Sequence, residues 1–410
     1  MSFNKIPVGR YGLFILLAIG VVLFFLEIRS IATHIGSDYR IFFNAVTRFN
    51  ADPLTLYTAS SVHTLQGFLY PPPAIILFLP FAALPVEASY KLFVVLLYCA
   101  AFAAMAIWVR ISMSENRYRL ASRLEIANVM LLTAVSGPFF AAVVAGQVDI
   151  LVLLLCTVHI ALITTDRPMW AGLVLAIGFW IKIYPLVLLA YALSHPKGAR
   201  VLLGFICAGL ALPLVLAPLV PLELYALYFM DYLPALSGST IANIYNQSLT
   251  AFLTRLSLSV GESVQSFQAF PVPAPLRFSI TVVAMFIIGL ICVTAKRARD
   301  LRLPAFAMIL AIFAVIAPLG WGHTYVYICP LVYFVWLIGR KLQHPLTFFL
   351  LASLYAVMLV PAYRIFPIHP DVPELAYKVF YSRYLFATVF LLIMSAVLLR
   401  FTKLNTANLA

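Results

Sequence analysis

In a chain that otherwise reads as hydrocarbon, a few short stretches carry residue types that could do chemistry. "SDYRIFF" places Asp38 a few residues past the first apolar run. A carboxylate there can cap a short interfacial helix, YRIFFNAVTRF, or take a proton as a general base, and the two roles are compatible. "GFWIKIYPLV" sets Lys182 between two apolar runs, with no acid nearby in sequence. It can snorkel to the surface or offer its charge to an anion at the membrane boundary, such as a lipid phosphate. "APLGWGHTYVY" puts His323 two residues after Trp321, a pair suited to stacking on a sugar and hydrogen-bonding it, or simply to packing.

Two further stretches carry polar groups of weaker meaning. Gly146-Gln147-Val148-Asp149 reads as a tight turn between helices, with Asp149 as its cap or as a ligand. Asn246-Gln247-Ser248 matches a glycosylation acceptor, and its amides could equally line a cleft. No HExxH, GxSxG, GxxxxGK[ST] or Cys/His cluster occurs, which weakens metalloprotease, serine-hydrolase and nucleotide-binding readings. The five cysteines are scattered through apolar runs, so packing explains them and no metal is expected.

The elements that must position these groups are membrane helices. The 410 residues are 64% hydrophobic and only 10% charged, where a soluble chain averages about 45–50% and about 25%. Apolar runs at about 11–29, 88–110, 124–145, 149–164, 168–182, 184–196, 199–220, 276–296, 303–319, 324–340, 345–362 and 383–402 predict twelve helices in one domain over 1–410. The two flanking Lys182 are short enough to be one broken span. "YPPPAIILFLPFAALP" (70–85) predicts an apolar helix too short to cross, lying along the outer leaflet.

The net charge of +13 needs no nucleic acid. Its lysines and arginines gather around Arg10, Arg110–Arg123, Lys197, Lys296–Arg302, Arg340 and Arg400, as cytoplasmic anchors do. That orientation leaves the long polar segments, 30–86 and 221–275 above all, on the extracytoplasmic face.

In chain order, DYRIFF, PLTLY, FLYPPPAIILFLPFAALP, GQVDILVLLL, AGLVLAIGFWIKIYPLVLLAYAL, NQSL and WGHTYVYICP resemble glycosyltransferase family 87, polytopic enzymes of the GT-C superfamily. The resemblance covers roughly 36–340 and is most specific at the first-loop acid with its YPP follow-on and at the K-x-x-P break. Three positions depart from the family's pattern: Asp149 where Asn is commoner, Phe42-Phe43 in place of tyrosines, and Thr324 in place of a second histidine.

The resemblance implies an all-α integral membrane bundle of about twelve helices. Its long extracytoplasmic first loop would contain interfacial helices. It also implies a polyprenyl-phosphate sugar donor and an inverting transfer of a hexose, mannose in characterised members, to a glycan or glycolipid hydroxyl. The setting would be the outer face of a bacterial plasma membrane, with neither cofactor nor metal. Asp38 would be the base and His323 its companion. Lys182, Arg364 and Arg383 would hold the phosphate. Tyr70, Gln147, Asp149, Asn246, Gln247 and Trp321 would line the substrate site. A polytopic lipid or sugar transporter or flippase is the alternative. It should have repeated halves with paired broken helices, and only one broken pair is visible.

Overall fold

The computed structural model describes residues 10–57, 65, 67–114, 123–265, 267–297, 301–342 and 373–407. Helix α1 (Arg10–Ala32) is apolar except at Arg10 and at Glu27, Arg29 and Ser30 near its end, and passes through Gly36 into α2 (Ser37–Ala51), the two bent by 42°. Along α2 the buried residues Tyr39, Phe42, Ala45, Val46 and Phe49 recur at helical spacing, while Arg40, Asn44, Thr47 and Asn50 are exposed. Asp52 ends that helix and accepts from Leu54 N to start a 3-10 turn over Pro53–Thr55.

The helix expected over 70–85 is instead two 3-10 turns, Pro72–Leu77 and Leu79–Ala83. Pro71, Pro72, Pro73 and Pro80 have no N–H to donate, so an α-helical ladder cannot run through them.

The next elements are α3 (Val86–Ser114), α4 (Arg123–Ala134) and α5 (Gly137–Ala145). The single span expected over 124–145 breaks by 51° between α4 and α5, where Pro138 opens the second helix. Then follow α6 (Asp149–Thr164) and α7 (Pro168–Ile181), a 3-10 turn (Tyr184–Val187), α8 (Leu188–Ser194) and α9 (Gly198–Leu216). The chain does break at Lys182, which is extended at φ −154° and ψ 126°. Pro185 cannot continue α7, and the freed backbone forms the 3-10 turn.

Residues 222–271 form short pieces: α10 (Leu222–Leu227), a π turn (Tyr228–Tyr232), α11 (Leu233–Gly238), β1 (Ser239–Ile241), α12 (Leu249–Leu256), α13 (Val260–Gln265) and β2 (Ala269–Pro271). The two strands pair antiparallel with Thr240 opposite Phe270. Last come α14 (Ala274–Arg297), α15 (Arg302–Ile316), a 3-10 turn (Gly322–Ile328), α16 (Cys329–Leu342), α17 (Glu374–Phe380) and α18 (Arg383–Ala407).

Helix α15 is the axis of the core, buried at every residue from Leu303 to Val315. The outer helices are inverted relative to a soluble protein. Phe14, Ile15 and Phe25 on α1 and Phe278, Val283 and Phe286 on α14 are all more than half exposed. Only a hydrocarbon solvent makes such a surface stable, so this is a membrane protein. Three helices (Val86–Met113, Gly198–Leu216 and Ala274–Lys296) are long and apolar enough to cross, or six if each bent pair is one span. The twelve expected spans are not reached among the described residues. Several apolar helices there have 10–17 residues, and 345–362 lies outside them.

Helices α7 and α9 cross with their backbones nearly touching. A Cβ on Gly172 would stand 2.1 Å from the Val201 carbonyl oxygen, and one on Gly204 would stand 2.2 Å from that of Met169. In lipid, close approach of this kind replaces the hydrophobic drive between helices. Gly172→Val or Gly204→Val is therefore expected to destabilise by at least roughly 1–3 kcal/mol, the cost of overpacking. The melting temperature of purified protein should drop, while Gly209→Ala, with nothing within 4 Å, should leave it unchanged.

Candidate active site

Asp38 lies in the first turn of α2 but does not cap it. The N-cap position is Gly36, and no side chain bonds the free backbone N–H groups there. Its carboxylate is turned elsewhere. Ser37 Oγ donates to Oδ1 at 3.0 Å, and Gln147 Nε2 donates to Oδ2. Gln147 Oε1 in turn accepts from the Tyr70 hydroxyl at 2.6 Å. Burial, with the Asp149 and Asp38 carboxylates beside it, pushes the Tyr70 phenol well above its ordinary range, so it stays protonated and donates.

Backbone geometry brings these distant residues together. Gly146 ends α5 in the left-handed region at φ 73°, with Gln147 N bonded back to Ala142 O at 2.8 Å. A Cβ on Gly146 would stand 2.6 Å from Tyr39 Cβ, and one on Gly36 would stand 2.5 Å from the Ala145 carbonyl oxygen. The start of α2 thus nests against the end of α5, and Asp38 meets Gln147.

Asp149 is the first residue of α6 and is fully buried, the N-cap position being Val148. Lys182 Nζ reaches it from the extended break, donating to Oδ1 at 2.7 Å and Oδ2 at 2.9 Å. The ammonium also stands 5.1 Å from the Tyr184 ring centroid and 5.7 Å from that of Tyr70. His323, 6% exposed on the 3-10 turn after α15, has Nδ1 2.8 Å from Asp149 Oδ2 and Nε2 3.8 Å from Asp38 Oδ2. One polar chain therefore runs Lys182, Asp149, His323, Asp38, Gln147, Tyr70. The Asp149 side chain is wholly sealed and that of Asp38 is 27% exposed, so the chain has a closed end and an open one.

Such an arrangement can accept a proton at its open end and spread the resulting charge inward. It does not leave Lys182 a free cation. Lys182, expected to face a phosphate, pairs bidentately with Asp149, an acid 33 residues away that no local pattern announces. Gln147 and Asp149, expected to touch substrate, bond to Asp38 and Tyr70 and to Lys182 and His323 respectively.

Asn246 and Gln247 also differ from expectation. Both are buried, and their amides are used within the protein rather than lining a cleft. Asn246 Nδ2 donates to Ile241 O at 2.9 Å, and Gln247 Nε2 donates to Tyr381 O at 2.6 Å while Oε1 accepts from Tyr384 N at 3.1 Å. Beside them lies Arg255, which no motif in the sequence marks. Its fully buried guanidinium donates to the carbonyls of Ala242, Asn243 and Asn246 and to Ser382 Oγ at 2.8 Å. Burial pulls it down to about 10, still charged at neutral pH.

Trp321 is half-buried, bridged to Asn246 and stacked on Phe267, with ring centroids 6.4 Å apart. Arg383 opens α18 with its guanidinium 4.8 Å from the Tyr384 ring centroid. That ring borders Gly322, one residue from His323. Arg364 lies outside the described residues.

A family model for glycosyltransferase family 87 matches residues 68–319, a stretch that holds Tyr70, Gln147, Asp149 and Lys182 but neither Asp38 nor His323. The chain is also similar to a polyprenol-phosphate-mannose-dependent alpha-(1-2)-phosphatidylinositol mannoside mannosyltransferase of Mycobacterium tuberculosis (strain ATCC 25618 / H37Rv). The two are 28% identical over 291 residues, which are 67% of this chain and 63% of that relative, so the chain spans less than two thirds of the relative's length.

Because Gly146 combines a left-handed backbone with contact on Tyr39, Gly146→Ala is expected to cost roughly 1–3 kcal/mol and to push Gln147 off Asp38. A lower melting temperature for purified Gly146→Ala, with Gly261→Ala unchanged at its open position, is the check.

Proposed function

The chain belongs to glycosyltransferase family 87, and from that membership we propose that this membrane glycosyltransferase moves a hexose from a polyprenyl-phosphate donor to a hydroxyl of a glycan or glycolipid acceptor. The proposed sugar is mannose, the donor class supported by the name of the mycobacterial relative. The proposed setting is the extracytoplasmic face of a bacterial plasma membrane, spanned several times by the chain, where a lipid-borne donor can deliver an activated sugar.

The observation that carries the reading is the state of Asp38. It is the partly open acid of a polar chain otherwise enclosed by apolar protein, and both of its oxygens are already oriented by Ser37 and Gln147. A held carboxylate of this kind is suited to receive a hydroxyl proton while the hydroxyl oxygen attacks the anomeric carbon. The bond from that carbon to the phosphate oxygen breaks in the same displacement, its electron pair leaves with polyprenyl phosphate, and the anomeric centre inverts. With Lys182 occupied by Asp149, the cation beside the leaving phosphate is Arg383, whose stacking on Tyr384 places it next to the His323 turn.

Purified protein in lipid nanodiscs, given mannose, glucose, galactose and arabinose on polyprenyl phosphate together with membrane glycolipid acceptors, should release polyprenyl phosphate with the mannosyl donor. Movement of the intact lipid across the bilayer without release would instead favour the transporter. Asp38→Asn and Asp38→Ala should lower turnover by about 10²–10⁴-fold, the usual worth of a general base, while the protein elutes as wild type. Near-normal turnover by either removes Asp38 from the reaction. Arg383→Gln should raise the KM for donor by about 10-fold, matching the loss of one charge-assisted hydrogen bond, with acceptor KM unchanged.

A further inference from the structure

Asp149 is an acid without exposed surface, and its contacts determine more than its own position. Lys182 Nζ grips both of its oxygens, at 2.7 and 2.9 Å, which keeps the carboxylate ionised inside apolar protein. An ionised carboxylate has only lone pairs to offer. The proton in its 2.8 Å contact with His323 must therefore sit on Nδ1. A neutral imidazole then has a bare Nε2, and Nε2 is the nitrogen that faces Asp38 Oδ2 across 3.8 Å. That gap separates two acceptors. It is too long for a hydrogen bond, and a single added proton would draw the pair together.

We propose that Asp149, clamped by Lys182, is a positioning residue that fixes the tautomer and aim of His323, so that Asp38 and His323 Nε2 share the proton released by the acceptor hydroxyl. This rests on the glycosyl-transfer reading above. In the step, the acceptor O–H bond breaks as its oxygen bonds to the anomeric carbon. The carbon–oxygen bond to phosphate breaks, with its electron pair going to polyprenyl phosphate. The proton passes to Asp38 and is held against Nε2, and it returns to solvent through Asp38 once the products leave.

As imidazolium character grows on His323, the Asp149 carboxylate stabilises it, in the manner of a buried acid behind a catalytic histidine. The phenols of Tyr70, Tyr184 and Tyr327 also stand near Asp149 and add no charge. Lys182 thus has a reason to be at the helix break: without it the buried acid would take a proton itself, and the imidazole could turn its protonated nitrogen towards Asp38.

The test reads the tautomer and turnover separately. Histidine labelled with the heavy nitrogen isotope reports on all seven histidines in nanodisc-held protein, and His323→Gln identifies the signal of residue 323. Wild type should show the Nδ1-protonated form. This measurement needs no altered protein to fold beyond the assignment variant. Removing both charges together, as Asp149→Asn with Lys182→Met, avoids leaving either one buried alone. The double variant should lose the tautomer preference and lower kcat by about 10²-fold, with KM for donor and acceptor changed less than about 2-fold. Adding His323→Gln to it should cost little more, because Asp149 acts through the imidazole.

An Nε2-protonated imidazole in wild type, or an unchanged tautomer in the double variant, overturns the proposal whatever the turnover. A raised KM at unchanged kcat overturns it too, since that marks a direct contact with substrate. The expected tautomer in a wild-type protein that releases no polyprenyl phosphate from any donor overturns the glycosyl-transfer reading and the proton route built on it, and leaves the orienting role of Asp149 standing.

Discussion

The site depends on two opposite charges that are almost entirely withdrawn from water. Lys182 and Asp149 have been taken out of solvent together, and separating them would leave an uncompensated charge at a cost of about 3–5 kcal/mol. That cost constrains everything around the pair. The chain must break where Lys182 lies, because an extended residue lets the side chain reach sideways to Asp149. Helix α6 must begin at Asp149, with its carboxylate beside the positive end of the helix. The turn carrying His323 must then close over Oδ2, which Lys182 and His323 share. Each of these is a termination of regular structure, and each coincides with a proline or glycine: Pro185, Gly146, and Gly320 with Gly322.

Polar groups contributed by the ends of elements need bracing, because ends have fewer neighbours than middles. Two braces serve here. The start of α2 is pressed onto the end of α5 through Gly36 and Gly146, which fixes Asp38 against Gln147. On the other side, the Arg255 guanidinium gathers three carbonyls and Ser382, while Gln247 joins Gly320 to Tyr381 and Tyr384. That second brace fixes the Gly320 side of the His323 turn, which packs between α5 and α15.

The residues of the chain were legible as isolated costs. An acid past an apolar run, a lysine within one and a histidine near a tryptophan are conspicuous because hydrocarbon disfavours them, and Pro185 marked the break beside Lys182. Their pairing was not legible. Asp38 meets Gln147 across 109 positions, and His323 meets Asp149 across 174, distances at which periodicity says nothing. The same blindness hid the pairing of Lys182 with Asp149 and the backbone partners of Asn246 and Gln247. An amide satisfied by backbone and an amide waiting for a ligand are spelled alike. Local chemistry did betray one overestimate of helix: the prolines of 71–73 could have ruled out an α-helix at once, and apolar composition outweighed them.

The Arg255–Ser382 and Gln247–Tyr384 hydrogen bonds join residues 127 and 137 positions apart. Closing loops of that size is entropically slow, and these can close only after residues 382 and 384 have been synthesised. A chain still on the ribosome already carries its acid and its imidazole, yet the turn between them has only half its scaffold. The His323 turn therefore gains its second brace only once residues 381–384 are in place.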